Sequence, residues 1–118
     1  MNILIIDDIR ELRDVLREQL EDEGFHVFEA GNGKDGLEIL STTDIDLVIS
    51  DIDMPVMTGI QFLMHVKNLK KTVPPVYIMT GAGRFTKEMC IDMGASGYFN
   101  KGDELNQMVE FIKNIKSP

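Results

Sequence analysis

Asp7, Asp8 and Asp51 each stand where a run of apolar residues stops. Ile3-Leu4-Ile5-Ile6 runs into Asp7-Asp8, and Leu47-Val48-Ile49-Ser50 runs into Asp51. Thr80 closes Val76-Tyr77-Ile78-Met79 in the same way, and Lys101 lies just past Ser96-Gly97-Tyr98-Phe99. An apolar setting makes an unpaired carboxylate costly, so these aspartates call for a cation, a proton or a basic partner. Brought together, three carboxylates repel one another unless a hard cation holds them, and ligation by oxygen alone suits magnesium. A hydroxyl and an ammonium on the other side of such a site can hold phosphoryl oxygens. The five side chains then share one task. Taken singly, each aspartate also reads as a helix cap at a strand end, but that explains the set of five poorly.

The elements that must position these residues follow from hydrophobic spacing. Residues 3–6 suit a strand buried on both faces. Ile9, Leu12, Val15, Leu16 and Leu20 recur at helical spacing up to Gly24. Phe25 to Glu29 predicts a second strand, and Gly31, Gly33 and Gly36 bracket a turn before a short helix with Leu37 and Leu40. Asp46 to Ser50 forms a third strand. Pro55 and Gly59 sit near the start of a helix carrying Ile60, Leu63 and Val66, with Phe62 and Leu69 as further core candidates. Pro74-Pro75 turns the chain into the strand of residues 76–79. A fourth helix over Phe85 to Met93 stops at Gly94, and Ser96 to Phe99 is the last strand. Leu105, Met108, Val109, Ile112 and Ile115 define a final helix. Strands alternating with helices imply an α/β fold, a five-stranded parallel sheet covered by helices on both faces. No linker, repeat or low-complexity stretch divides it, so residues 1–118 read as one domain. Open parallel sheets bind ligands at the carboxyl ends of their strands, near the switch in strand order. All five candidate residues fall on that edge.

Composition narrows the function classes. A length of 118 residues suits a single domain, able to bury roughly two-thirds of its unfolded surface without staples. Lys+Arg 12 against Asp+Glu 20 gives a net charge of -8, which argues against direct nucleic-acid binding. Residues 1–53 hold 15 acidic and 4 basic side chains, so the excess is concentrated there. Glu11, Asp14, Glu18, Glu21, Asp22 and Glu23 account for much of it as one solvated helix face. The single Cys excludes an internal disulfide, and no Cys/His cluster suits zinc. No apolar run approaches the roughly 20 residues of a membrane span. Asp7 and Asp8 interrupt the N-terminal run too early for a signal peptide. The expected setting is cytoplasmic.

The ordered motifs resemble the receiver domain of two-component response regulators, with the chemotaxis-type single-domain fold, over the whole chain. Asp7-Asp8 is similar to the family's acidic pair, and Asp51-Ile52-Asp53-Met54-Pro55 with Gly59 to the segment around its phosphoacceptor aspartate. Thr80 and Lys101 follow at matching intervals, and Gly94-Ala95-Ser96-Gly97-Tyr98 resembles the approach to the family's lysine. The resemblance implies a flavodoxin-like (βα)5 sheet in strand order 2-1-3-4-5. It implies that Asp51 accepts a phosphoryl group from a phosphohistidine on a sensor histidine kinase or histidine phosphotransfer protein. Asp8, Asp51 and the backbone carbonyl of Asp53 would bind Mg2+ directly, and Asp7 through a water. Lys101 would pair with one phosphoryl oxygen and Thr80 would hydrogen-bond another. Tyr98 would follow Thr80 inward and remodel the face formed by helix four, strand five and helix five. That face would receive a downstream protein or support a phosphorylation-dependent dimer. Such a domain is a phosphorylated switch rather than an enzyme, taking part in its own phosphoryl transfer and slow autodephosphorylation. No DNA-binding helix pair is present, so output is expected through a partner or a further segment.

Gly102 departs from the family, which usually has proline after the lysine in a cis peptide. A cis bond before a non-proline residue costs roughly 2.5 to 4 kcal/mol, so Lys101-Gly102 is expected to be trans. By the resemblance, Ala82 and Asp53 occupy positions that influence phosphoryl lifetime in the family, and that lifetime stays open here. Two other readings keep part of the pattern: a receiver-like docking module without phosphorylation, and a haloacid-dehalogenase-like phosphatase. The second has Pro55 where its motif carries Thr or Val, and no segment for a cap. Gly31-Asn32-Gly33-Lys34-Asp35-Gly36 matches G-x-G-x-x-G but follows the second strand, so turn and helix-start glycines explain it. Cys90 reads as a packed thiol, and His26 and His65 are isolated. Lys67, Lys70 and Lys71 read as a solvated helix end, and Phe111 as a contact-face candidate beside Tyr98.

Overall fold

Successive residues of a strand point to opposite sides of its sheet, and that alternation sorts the core of this protein into two layers. The computed structural model describes residues 1–52, 57–69, 73–81, 85–102 and 104–115. Its strands are β1 (Asn2–Ile6), β2 (His26–Ala30), β3 (Leu47–Asp51), β4 (Val76–Thr80) and β5 (Gly97–Asn100). The helices between and after them are α1 (Arg10–Asp22), α2 (Gly33–Thr42), α3 (Gly59–Lys67), α4 (Lys87–Asp92) and α5 (Leu105–Ile115). All the strand pairings are parallel, in the order β2-β1-β3-β4-β5. The expected flavodoxin-like order is therefore the observed one.

Ile3, Ile5, Leu47, Ile49, Tyr77 and Met79 face α1 and α5, where they meet Leu16, Leu20, Met108, Val109 and Ile112. Leu4, Ile6, Val48 and Ile78 face the other way, onto Leu40 of α2, Phe62, Leu63 and Val66 of α3, and Cys90 of α4. Every residue of β3 and β4 is buried, as a strand covered on both faces requires.

Several elements depart from the spacing-based expectation. α2 begins earlier, because the Asn32 side chain accepts the Asp35 N–H as an N-cap and draws Gly33 and Gly36 into the helix. Gly36 lets that helix close on β1: a Cβ there would lie 2.5 Å from Ile6 Cδ1. α4 is shorter than Phe85 to Met93, since Thr86 caps it at Met89 N–H and Gly94 leaves it at a φ of 111°. Ile9 and Val15 are exposed, so the buried stripe of α1 reduces to Leu16 and Leu20, with Leu12 beside them. In α3 Phe62 is fully buried while Ile60 is only partly covered.

Candidate functional site

β1 and β3 lie side by side where the strand order reverses, and the residues at their carboxyl ends share the crevice such a reversal opens. Asp7 follows β1, held in line by its N–H on Ala30 C=O at 3.1 Å. Asp51 is the last residue of β3. Lys101 follows β5, tied to β4 by its N–H on Thr80 C=O at 3.0 Å. Asp7, Asp51 and Thr80 are buried, at 0%, 4% and 1% exposure, while Asp8 is exposed at the mouth.

The cation that the buried aspartates require is supplied from within the chain. Lys101 Nζ lies 2.8 Å from Asp7 Oδ2 and 2.9 Å from Asp51 Oδ2. The bond to Asp51 is a directed hydrogen bond. Asp7 Oδ2, by contrast, is buried with no well-directed donor and meets the ammonium as an ion pair. Burial pulls the Lys101 pKa down, but the close contacts with Asp7 and Asp51 and their negative charges outweigh it, leaving the ammonium above its ordinary value. The second oxygens are fixed too: Asp51 Oδ1 accepts Ile52 N–H at 2.7 Å, and Asp7 Oδ1 accepts Ile9 N–H at 2.8 Å.

Asp7, Asp8 and Asp51 each offer a carboxylate oxygen, all within 4.8 Å of one another. Hard oxygen donors so close, one of them buried without a directed hydrogen bond, fit a small divalent cation such as Mg2+. Asp53 and Ala82 lie outside the described residues.

Thr80 and Tyr98 occupy the other parity of their strands. Ile78 pairs with Tyr98 and Thr80 with Asn100, so Thr80 and Tyr98 are diagonal neighbours on the side facing α4. Tyr98 is half-buried there, and its hydroxyl donates to Phe85 C=O at 3.2 Å. Phe111, a contact-face candidate had it lain beside Tyr98, packs on Tyr77 and Phe99, with ring centroids 5.3 and 6.0 Å away. The reason is alternation: Phe99 and Tyr98 point to opposite faces of β5, and α5 covers the Phe99 side. Among the described residues no peptide bond is cis, so Lys101-Gly102 is trans as expected.

Two supports take their physical role only from the structure: Gly59, which the sequence offered as a motif residue, and Arg13, which went unread. A Cβ on Gly59 would sit 2.6 Å from Asp51 C=O, so only glycine lets α3 start directly beneath the end of β3. Arg13 donates to the Asp7 carbonyl and pairs with Glu29 Oε1 at 3.1 Å, tying α1 and β2 to the acidic pair. Arg13 shares the helix with a run of acidic residues, and nothing in its spacing separates it from surface charge. The remaining residues are ordinary. Cys90 is buried and its thiol is pushed up by burial. His26, His65 and Lys67 are exposed, while Lys70 and Lys71 lie outside the described residues.

A family model described as the response regulator receiver domain matches residues 3–113. The transcriptional regulatory protein CpxR of Escherichia coli is 35% identical over 114 residues, covering 96% of this chain and 48% of CpxR. The chain spans about half the length of CpxR and of the probable transcriptional regulator ycf29 of Pyropia yezoensis and of Porphyra purpurea. The chemotaxis response regulator CheY4 of Vibrio cholerae superposes with a TM-score of 0.84 at 26% identity, over 97% of both chains. The response regulator TrrA of Thermotoga maritima, solved in complex with Mg2+–BeF, gives 0.83 at 27% identity, over 97% of both chains.

Proposed function

The chain belongs to the response regulator receiver domain family, and on that premise we propose that Asp51 is its phosphoacceptor, in a relay fed by a histidine kinase or histidine phosphotransfer protein. The observation that carries this reading is the meeting of Asp51 with Lys101 and two further aspartates at the switch in strand order. A carboxylate oxygen of Asp51 attacks the phosphorus of a phosphohistidine. The new O–P bond forms as the N–P bond breaks, and the imidazole leaves and takes up a proton. Such transfers need the nucleophile in line and charge neutralised on the phosphoryl oxygens.

Asp51 is aimed by the Ile52 amide and the Lys101 ammonium. Asp8 and Asp51, with the backbone carbonyl of Asp53, would hold Mg2+ directly, and Asp7 through a water. That ion, when bound, supplies charge neutralisation between the carboxylates and the incoming phosphoryl oxygens. Lys101 exchanges its contact with Asp51 for one with a phosphoryl oxygen. Thr80, buried at the end of β4, donates its hydroxyl to another. Tyr98 shares the Thr80 side of the sheet, so a movement of Thr80 alters the space available to it. Met89 and Ile91 on α4, and Phe111 and Ile115 on α5, expose apolar surface flanking β5, which suits a downstream protein partner in the cytoplasm. The ion pair of Asp7 with Lys101 gives Asp7 a task that the phosphatase alternative lacks.

The test is incubation with a small phosphodonor and Mg2+, read by intact mass. One phosphoryl addition is expected on the wild type and none on Asp51→Asn. Equal uptake by that variant would remove Asp51 from its role.

A further inference from the structure

The segment carrying Lys101 is closed by a ring of hydrogen bonds. Asn100 Oδ1 accepts Gly102 N–H at 2.8 Å. Glu104 Oε1 accepts Asn100 N–H at 2.8 Å, and Asn100 C=O accepts Glu104 N–H at 2.9 Å. With Lys101 N–H on Thr80 C=O, the amides of residues 100, 101, 102 and 104 are all engaged. The ring depends on residue 102 having an N–H, which glycine supplies. It also favours a small residue there, since a Cβ on Gly102 would lie 3.3 Å from Asn100 Oδ1.

A lysine side chain gives up much of its rotamer freedom when held in one place. Keeping Nζ on two carboxylates from other strands therefore demands that its own backbone not wander. We infer that Asn100 and Glu104 are positioning residues for Lys101, locking the turn that aims its ammonium at Asp7 and Asp51. Glu104 stands at the start of α5, where a capping side chain would reach forward to the first helical amides. Its carboxylate reaches back to the strand instead, so the ring fixes the lysine turn rather than the helix end. The inference rests on the reading of Lys101 as the group that holds a phosphoryl oxygen at Asp51.

The experiment compares Asn100→Ala, Glu104→Ala and the acceptor-retaining Glu104→Gln with the wild type. One measurement is the NMR signal of the Lys101 ε-methylene without donor or metal, assigned by its loss in Lys101→Arg. The other is the rate constant of phosphoryl uptake at saturating small phosphodonor and Mg2+. Asn100→Ala and Glu104→Ala should move the Lys101 signal toward that of an exposed lysine. They should slow uptake at least about tenfold, as expected when a reacting group is misplaced by a fraction of an ångström. Glu104→Gln should keep the wild-type signal and rate. Wild-type signals and rates in both alanine variants would overturn the inference, and so would an equal loss in Glu104→Gln. Circular dichroism checks folding, and if Asn100→Ala does not fold the Glu104 pair decides. A wild type that took up no phosphoryl group would count against the function assigned to Asp51. The Lys101 signal would still judge the positioning, because the ion pairs need no phosphoryl group.

Discussion

A lysine between two buried carboxylates serves two masters in succession. Lys101 contacts both Asp7 and Asp51 and offsets part of their charge, which lowers the cost of burying the two aspartates. On the proposed function the same ammonium would then be drawn to the phosphoryl oxygens, and Asp7 would lose part of its share. Replacing Lys101 by Met leaves two carboxylates facing each other, and should lower unfolding stability at pH 7 by about 1–3 kcal/mol, partial solvent access keeping the loss in that range. The pH dependence has a definite sign. The Lys101 pKa is raised in the folded chain, so its contribution is fully present below the unfolded value of 10.5 and fades only as pH rises through the higher folded value. Urea titrations at pH 7, 9 and 11 should therefore show the gap between wild type and Lys101→Met holding at the first two and shrinking at the third. A gap that closed between pH 7 and 9 would mean that the ion pairs contribute little.

At the scale of elements, the close approach of α3 to β3 sets where Asp51 ends up. Gly59→Ala would drive a Cβ to 2.6 Å from Asp51 C=O and 2.7 Å from Ile52 Cα. The added Cβ meets backbone atoms there, and no rotamer change relieves it, so a loss of about 1–3 kcal/mol is expected, together with slower phosphoryl uptake. Gly31→Ala is the matched control, since its Cβ would meet Arg13 Nη1 at an ordinary 3.7 Å. Thermal unfolding of the two variants decides: similar behaviour would show that β3 has slack beneath Asp51. Elements of this kind differ in how far the sequence reveals them. β1 and β3 are legible because each couples an apolar run to a terminal aspartate, and strand order follows once the family is recognised. The start of α2 was missed because Asn32 caps through a side chain and Gly33 and Gly36 look like turn residues until the helix is seen to pack on Ile6. Phe111 lies exposed, off the apolar stripe as its spacing suggests, but not beside Tyr98, because helical spacing does not tell which side of the sheet α5 covers. The ring at Asn100 and Glu104 has no periodic trace, since its bonds link side chains to amides within one turn.

For the molecule as a whole, the net charge of -8 divides into two parts with different consequences. The acidic residues of α1 face solvent, where salt screens them, and they contribute little to any one function. The carboxylates of Asp7, Asp8 and Asp51 are crowded within 4.8 Å, and Lys101 contacts the buried pair. The folded chain thus concentrates negative charge that the unfolded chain disperses, and a divalent ion that binds only the folded arrangement must stabilise it by linkage. At tenfold excess over its Kd, Mg2+ should add about 1.4 kcal/mol to unfolding stability. Asp8 is the exposed member, so Asp8→Ala should cost little without metal and leaves the site folded for the test. It should remove most of the Mg2+-dependent gain, while sodium chloride at matched ionic strength should reproduce none of it in either protein. Urea unfolding with and without Mg2+ measures both quantities. If Asp8→Ala gained as much from Mg2+ as the wild type does, the stabilisation would come from diffuse surface charge, and Asp8 would lose its place among the ligands.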